Sequence, residues 1–230
     1  MKRIMTIALL MASVLFCASC QKEHAKNQKV TYYASIDLTG GDEVTWEKGN
    51  AWVEPGYSAV LDGKDVTAEI EVENPVDVNQ SGVYYIDYSY TNEDGFTSSV
   101  SRKVIVLNSS DPVEGFYTTS PESYRMINGA KTVYGASFTI LVTGNANGDY
   151  DVDDLLGGYY RDRAGYGSDY ACGASIKIGD GGALTLISSR VPGWGDSADS
   201  VEGTYNASSS TFEYCAIYAG MEFHITMTKE

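Results

Sequence analysis

Residues 82–90 read GVYYIDYSY, and the large side chains in this stretch recur at every second position. In an extended chain, one set of these side chains would share a single buried face: Tyr84, Ile86, Tyr88 and Tyr90. The same alternation returns in residues 69–73 and 104–106, whereas helical periodicity is scarce. The pattern is typical of β-strands with one face in a core and the other in solvent.

Turn-forming sequences separate these strands along residues 30–108. They contain glycine beside proline, aspartate or serine, which are the residues that tight turns require, and they fall at residues 39–42, 54–56, 62–63, 80–82 and 93–95. Short strands at this spacing predict a small antiparallel β-sandwich.

The same segment carries a resemblance. Its motifs are Gly49-Asn50-Ala51-Trp52-Val53-Glu54-Pro55-Gly56, Gly63-Lys64-Asp65-Val66-Thr67, Gly82 to Tyr88, Asn92 to Gly95, and Arg102 to Val106. In this order they resemble the bacterial immunoglobulin-like family that is named after an insecticidal crystal toxin. The resemblance implies an Ig-like β-sandwich that acts as a spacer or scaffold, and it implies no catalytic residues.

A polar segment with proline, residues 109–112, predicts a linker before a second domain at 113–230. Period-2 alternation continues there, for example in residues 221–227, where Met221, Phe223, Ile225 and Met227 would share one face. We expect an all-β protein, with the Ig-like sandwich followed by a second antiparallel β-sandwich or a small β-barrel. The second domain resembles β domains of unassigned function in Bacteroidetes lipoproteins.

The first residues have the features of a lipoprotein signal peptide. Lys2 and Arg3 precede a short apolar stretch, and Ala18-Ser19-Cys20 resembles a lipobox, which predicts a signal peptide at 1–19, lipidation at Cys20 and a tether at 20–29. Gln21-Lys22-Glu23 resembles the tag that sends some Bacteroidetes lipoproteins to the outer face of the outer membrane. We therefore expect an outer-membrane lipoprotein, on the cell surface in preference to the periplasmic face.

Composition argues against several other classes of function. The net charge is −15, which would repel the phosphates of nucleic acids. A lone histidine in the folded domains, His224, and the lack of recognisable catalytic motifs predict a protein that is not an enzyme and has no cofactor. Residues 145–154 are rich in acids but lack the glycine and glutamate of a calcium loop, so they predict a hairpin turn at Asn147-Gly148 and no metal site.

Aromatic residues on glycine-rich loops of the second domain predict a binding surface. Flat rings can stack on sugars while a nearby carboxylate accepts hydroxyl hydrogen bonds, and the candidates are Trp194, Tyr159, Tyr160, Tyr166, Tyr170 and Asp196. A glycan or another extracellular ligand is the expected partner. Two alternatives stay open: a structural, adhesion or envelope-assembly role with an outer-membrane protein partner, and a lipid held inside a second-domain barrel.

Two cysteines of the second domain allow two interpretations. Outside the cytoplasm, Cys172 and Cys215 could form a disulfide, or they could be separate thiols, with Cys172 on a buried strand face.

Overall fold

The computed structural model describes residues 30–230, and it confirms the all-β expectation. Strands account for nearly all of the regular structure, and the helical segments are single turns of three to five residues. Within the described range, no helix has the length and apolar character needed to span a membrane. The predicted signal peptide, the tether and Cys20 lie outside the described residues.

Seven strands form the N-terminal domain, in two sheets. In chain order they are β1 (Ser35–Leu38), β2 (Glu43–Glu47), β3 (Tyr57–Leu61), β4 (Lys64–Asp65), β5 (Glu71–Glu73), β6 (Gly82–Thr91) and β7 (Thr97–Leu107). One sheet has the order β1-β3-β4 and the other has the order β2-β7-β6-β5. All pairs are antiparallel except β2 with β7, which run parallel.

The strand β6 packs as its alternation predicts. Ile86 and Tyr88 are fully buried, whereas Tyr85, which points to the other face, is 54% exposed. Val104 and Val106 of β7 complete the core between the sheets. Period-2 patterning therefore sets the register of the central hairpin, because a slip of one residue would turn these side chains to solvent.

A buried arginine ties the two sheets of this domain together. The Arg102 side chain, on β7, is fully buried and donates to the backbone carbonyls of Thr39 (2.9 Å) and Gly56 (2.8 Å). Its guanidinium lies 3.1 Å from the Glu54 carboxylate, and Tyr88 Oη donates to the other oxygen of that carboxylate at 2.7 Å. The loops that flank β1 and β3 are thus fastened to β7 by one charged side chain.

Ten strands form the C-terminal domain. They are β8 (Gly115–Thr119), β9 (Tyr124–Ile127), β10 (Ala130–Val133), β11 (Thr139–Gly144), β12 (Tyr150–Val152), β13 (Gly173–Ile178), β14 (Leu184–Arg190), β15 (Ser200–Asn206), β16 (Thr211–Tyr218) and β17 (Met221–Lys229). All pairs are antiparallel. The predicted turn at Asn147-Gly148 joins β11 to β12, and Gly148 has the positive φ of +80° that suits glycine.

The ten strands form one curled sheet. Its main path runs β10-β9-β17-β8-β11-β12-β13-β14, and β16 joins β15 to the free side of β17. The strand β17 pairs with β9 through its first half and with β8 through its second half. The sheet curls so far that β14 approaches β15, and Ala183, directly before β14, forms one bridge pair with Thr204 of β15. The architecture is a curled half-barrel, which agrees with the expectation of a second domain built from antiparallel strands.

Packed side chains fill the inside of this half-barrel. Tyr117, Phe212 and Phe223 are fully buried there, and the rings of Tyr117 and Phe212 meet edge to face at 5.1 Å. Aliphatic side chains such as Ile140 and Ile225 close the remaining space in the same core. This packing does not favour the alternative of a lipid inside the barrel, which would need an open interior.

The junction between the domains is held by hydrogen bonds. Glu114 is buried and accepts from the Ser81 hydroxyl of the N-terminal domain and from the backbone N–H of Asn108, both at 2.9 Å. Asp111 accepts from the backbone N–H of Val113 at 2.8 Å. Ser109 N–H donates to the Glu47 carboxylate of the N-terminal domain at 3.2 Å, so the segment predicted as a linker is bonded to both domains.

Candidate functional site

Two loops at one end of the half-barrel carry the predicted aromatic residues. The first contains a π-helical turn, Tyr159–Arg163, followed by a 3-10 turn, Ser168–Tyr170. The second is the turn between β14 and β15, where the backbone N–H groups of Trp194 and Gly195 both donate to the Val191 carbonyl. Single π-helical turns are rare and occur frequently at functional sites.

The second loop is a tight turn with Trp194 at its tip. Val191 N–H donates to the Asp196 carbonyl at 2.9 Å, which closes the base of the turn. Gly195 has a φ of +75°, which favours glycine. Proline and glycine thus fix the direction of the Trp194 side chain through the backbone.

The two loops interlock at Gly193. Its backbone N–H donates to the Asp169 carbonyl at 2.7 Å. A Cβ atom at this position would lie 2.8 Å from the ring of Tyr170 and 3.0 Å from the Asp169 carbonyl oxygen, so a side chain would force the loops apart. The contact fixes the distance between Tyr170 and Trp194.

Five rings meet at this junction, and we call them the Trp194 cluster: Tyr160, Tyr166, Tyr170, Trp194 and Tyr218. The Trp194 ring lies 4.8 Å from the rings of Tyr160 and Tyr170, centroid to centroid, in edge-to-face or tilted contacts. Tyr166 contacts Tyr170 at 5.4 Å, and Tyr218 stacks under Trp194 at 6.2 Å. Aromatic pairs at these separations stabilise one another beyond simple burial.

The Trp194 cluster has a buried floor and an exposed surface. Tyr160 and Tyr218 are buried, whereas Trp194 and Tyr166 are 44% and 55% exposed. Isolated exposed rings are common on protein surfaces, but these two are supported from below by other rings. The exposed faces of Trp194 and Tyr166 are therefore held at a defined separation before any ligand arrives.

Asp196 supplies the polar group beside these rings. The Tyr218 hydroxyl donates to Asp196 Oδ1 at 2.7 Å, while the Asp196 side chain is exposed. Burial and the carboxylate of Asp196 raise the pKa of Tyr218, so its hydroxyl stays protonated and keeps donating. The carboxylate is thereby fixed in place next to Trp194.

The structure corrects the role expected for Tyr159. This side chain is 4% exposed and packs in the core against Tyr134 and Phe223, so its ring cannot face a ligand. Two guanidinium groups lie against its ring, those of Arg125 at 4.9 Å and Arg163 at 5.2 Å. Because residues 159 and 160 lie in a helical turn and not in a strand, both rings point inward, and Tyr160 reaches only the floor of the cluster.

Tyr218 is the cluster residue that the sequence patterns did not single out, because its alternation places it with the core-facing residues of β16. That face is buried as expected, and Tyr218 is 2% exposed. The overlooked signal is its position at the end of the strand, directly before the Ala219-Gly220 turn. A tyrosine at a strand end can bury its ring and still direct its hydroxyl to the rim.

A buried carboxylate anchors the loop that carries three of the five rings. Asp154 is fully buried and accepts from the backbone N–H groups of Leu156 (3.0 Å) and Gly158 (3.1 Å), at the start of the loop, and of Cys172 (3.2 Å), at its end. Burial raises the pKa of Asp154 to about 6, despite the nearby positive charge of Arg161. Asp154 thus positions the Trp194 cluster without reaching it.

The two cysteines are free thiols in the structure and not a disulfide. Cys172 is fully buried in the core, whereas Cys215 is partly exposed on the opposite face of the sheet, beside His224 and Glu222. Two side chains on opposite faces cannot reach the short Cβ separation that a disulfide requires.

A second concave region lies at the domain junction, away from the aromatic rings. Its volume is about 590 Å³, and it is lined by residues of β11, β12, β13 and β14 together with Gly82 and Val83 of the N-terminal domain. Its lining includes no aromatic side chain, and the carboxylates of Asp151 and Asp153 there are already bonded to Ser175 and Arg161.

Comparisons with known proteins agree with this architecture. Residues 36–106 match the family described as "Bacterial surface protein, Ig-like domain", and residues 107–229 match a family described as a C-terminal domain. The crystal structure of the lipoprotein BT2262 from Bacteroides thetaiotaomicron is 32% identical, with a TM-score of 0.70, and the match covers 86% of this chain and 100% of that one.

A more distant structural match carries no weight for fold or function. It is the M60 catalytic domain with two CBM51 domains of Clostridium perfringens ZmpB, at 14% identity, a TM-score of 0.29, and coverage of 67% of this chain and 15% of that one. No curated protein matches the chain.

Proposed function

Because the chain belongs to the family of the lipoprotein BT2262 and carries a bacterial surface Ig-like domain, we propose that it is a lipid-anchored accessory protein that binds a glycan. The C-terminal domain would hold the glycan at the Trp194 cluster. The Ig-like domain would act as a spacer that carries this surface away from the membrane. The proposal assigns no catalytic step to the protein, no cofactor and no nucleic-acid partner.

The arrangement of the Trp194 cluster is the observation that carries this proposal. Sugars offer apolar C–H faces that stack on flat rings and hydroxyls that donate to carboxylates. Trp194 and Tyr166 present ring surface to solvent, and Asp196 is held beside them by Tyr218. Both exposed rings rest on buried rings, so little conformational entropy would be lost on binding.

The location is proposed on separate grounds. We infer that Cys20 carries the lipid, that the protein resides at the outer membrane, and that it faces the cell surface in preference to the periplasm. The surface Ig-like domain supports the inference, and so does the tag-like Gln21-Lys22-Glu23 after the cysteine.

We expect Trp194→Ala to weaken glycan binding by about 30-fold, which corresponds to a hot-spot loss of about 2 kcal/mol. The indole is the ring that contacts most of the other rings in the cluster, so its loss would also release Tyr166 and Tyr170. The measurement is binding of the full chain in detergent to an array of host, plant and microbial glycans, followed by titration with the best oligosaccharide.

The matched control is Tyr85→Ala, which removes an exposed ring from the Ig-like domain and should leave glycan affinity unchanged. If Trp194→Ala and Tyr85→Ala lose the same amount of glycan affinity, any exposed aromatic ring contributes to binding and the Trp194 cluster is not a specific site. Failure to bind any glycan would contradict the proposal and favour the alternative of a structural, adhesion or envelope-assembly role with an outer-membrane protein partner.

We expect Cys20→Ala to release the protein from the envelope. Acyl chains contribute about 0.8 kcal/mol for each buried methylene, so losing them removes the main attachment. Cell fractionation of the native host, with mass spectrometry of the mature N-terminus, would measure the shift. The control is Cys17→Ala, which should stay membrane-bound, and an unacylated wild-type protein would refute the lipid anchor.

A further inference from the structure

A separate group of polar side chains lies on the outer face of the β16–β17 hairpin. The hairpin register places Cys215 directly opposite His224, and the neighbouring strands add Glu202 of β15 beside Cys215 and Tyr124 of β9 beside His224. Glu222 precedes His224 by two residues on the same face of β17. Five polar or aromatic side chains thus meet on a surface opposite to the core.

Three potential metal-ligand atoms of this group lie close together. Cys215 Sγ lies 3.8 Å from His224 Nε2, and Glu222 Oε2 lies 2.9 Å from the same nitrogen. All three atoms fall within 4.8 Å of one another, and among the described residues this is the group of three such side chains close enough to share an ion. Each side chain offers one ligand atom of a different chemical type.

These separations are close to those of a tetrahedral zinc site. With ordinary zinc bond lengths, a thiolate sulfur and an imidazole nitrogen lie about 3.6 Å apart, and the nitrogen and a carboxylate oxygen about 3.3 Å apart. The observed distances of 3.8 Å and 2.9 Å from His224 Nε2 differ from these by only a few tenths of an ångström. The remaining separation, between Cys215 Sγ and Glu222 Oε2, is within 4.8 Å and would have to become about 3.6 Å around an ion. Small side-chain rotations of partly exposed groups would be enough to admit the ion.

The same geometry argues against a catalytic cysteine. In a Cys-His-acid triad the carboxylate holds one ring nitrogen while the thiol contacts the other. In this group the thiol and the carboxylate both approach Nε2 of His224, so the imidazole could not relay a proton between them. The three ligand atoms lie within 4.8 Å of one another, so all of them could turn toward one ion placed between them.

The imidazole is also held in place before an ion binds. The ring of His224 stacks on the ring of Tyr124 at 4.4 Å with an interplanar angle of 15°. The group opens into a groove of about 400 Å³, and Glu122, Glu202 and Glu213 line the same groove. Their negative charge would attract a cation and repel an anion.

We propose that Cys215, Glu222 and His224 bind one Zn²⁺ ion on the outer face of the β16–β17 hairpin. A thiolate, an imidazole and a carboxylate form a ligand set that suits zinc, and the fourth position would be taken by water or by the carboxylate of Glu202. The ion would link β16 to β17 on the face of the hairpin that is opposite to the core side chains Tyr218 and Phe223. It would thereby stabilise the hairpin that supports the Trp194 cluster. The proposal does not depend on glycan binding.

The test is calorimetric titration of the full chain in detergent with ZnCl₂, after treatment with a chelator. We expect one ion per chain and a rise in Tm that the chelator reverses, because a ligand that binds only the folded state stabilises it. Co²⁺ in place of Zn²⁺ should produce a thiolate-to-metal charge-transfer absorption. Binding without that absorption would overturn the assignment of Cys215 as a ligand.

Three variants locate the ion. Cys215→Ser, Glu222→Gln and His224→Gln should each weaken zinc binding by more than about 100-fold, since losing even an outer partner of a ligand costs 10–100-fold. Glu213→Gln is the matched control: it removes a carboxylate from the same groove without removing a proposed ligand, and its affinity should stay within about 3-fold of wild type. Failure of the wild type to bind zinc, or equal affinities in all four variants, would overturn the proposal.

Discussion

Replacing Arg102 by methionine is expected to lower the free energy of unfolding of the Ig-like domain by about 3 kcal/mol. The arginine is fully buried, and its loss removes the side-chain donor to the Thr39 carbonyl and leaves the Glu54 carboxylate without its cation. Glu54 keeps part of its side chain in water, so we place the loss at the low end of the range for broken buried ion pairs.

The next residue along the chain provides the control. Lys103 pairs with Glu43 at 2.9 Å on the surface, and exposed pairs contribute less than about 1 kcal/mol, so Lys103→Met should be nearly neutral. Urea unfolding of the full chain, with Trp194→Phe present in every variant so that Trp46 and Trp52 are the only fluorescent tryptophans, reports on this domain. A loss for Arg102→Met no larger than that for Lys103→Met would show that Arg102 does not tie the sheets together.

Asp154→Asn should change both stability and its dependence on pH. An asparagine can accept from Leu156 and Cys172, but its amide N–H would face the N–H of Gly158, and an unsatisfied buried donor costs about 1–3 kcal/mol. We expect this loss to be fully visible near pH 4, where the wild-type carboxyl is protonated in the folded state.

The difference in the free energy of unfolding between the wild type and Asp154→Asn should become smaller as the pH rises. The folded wild type holds its Asp154 proton up to a pKa of about 6, whereas the unfolded chain loses it near 3.8. Between these values the unfolded state binds fewer protons, so wild-type stability falls with rising pH, by a total of about 3 kcal/mol, and levels off above pH 6. Asp154→Asn has no carboxyl group at this position, so its stability does not fall with rising pH for this reason.

Urea unfolding of both proteins from pH 4 to pH 7 measures the difference between them. Because the other titrating groups are shared, they cancel in that difference. If the difference in the free energy of unfolding instead grows with pH, the three N–H donors and Arg161 favour the charged carboxylate over the protonated one. The expected rise in the pKa of Asp154 would then be wrong.

Much of the fold follows from local pattern. The two-residue alternation in residues 82–90 and 221–227 predicts which side chains enter each core, and the aromatic residues on glycine-rich loops predict where rings gather. Trp194, Tyr166, Tyr170 and Tyr160 do meet, because Gly193 lets the two loops approach closely and Gly195 allows the positive φ of the tight turn. Tyr159 departs from the expectation, since a π-helical turn cannot be inferred from strand-like periodicity.

The sequence patterns could not predict hydrogen-bond partners that lie far apart along the chain. Arg102 lies within β7, where the alternation of Val104 and Val106 does not distinguish it, and its burial depends on carbonyls of two distant loops. Asp154 lies in a run of acids that suggests a solvated turn, and its role depends on three backbone groups that only the folded loop supplies.

In contrast, the proximity of Cys215 and His224 could have been predicted from the sequence. The two-residue turn Ala219-Gly220 pairs Tyr218 with Met221, and counting back along the hairpin brings residue 215 opposite 224. The sequence interpretation considered Cys215 together with Cys172 and His224 by itself, so it did not apply this register.

The central claim is that ligand recognition occurs at the Trp194 cluster and not on the Ig-like spacer. The chain has three tryptophans, and two of them, Trp46 and Trp52, pack together in the N-terminal domain. Each indole N–H gives its own resonance in a ¹H–¹⁵N spectrum, so titration with the oligosaccharide selected on the array tests the claim directly. The account predicts that the Trp194 resonance shifts while those of Trp46 and Trp52 stay fixed; a shift at Trp46 or Trp52 with Trp194 unmoved would contradict it.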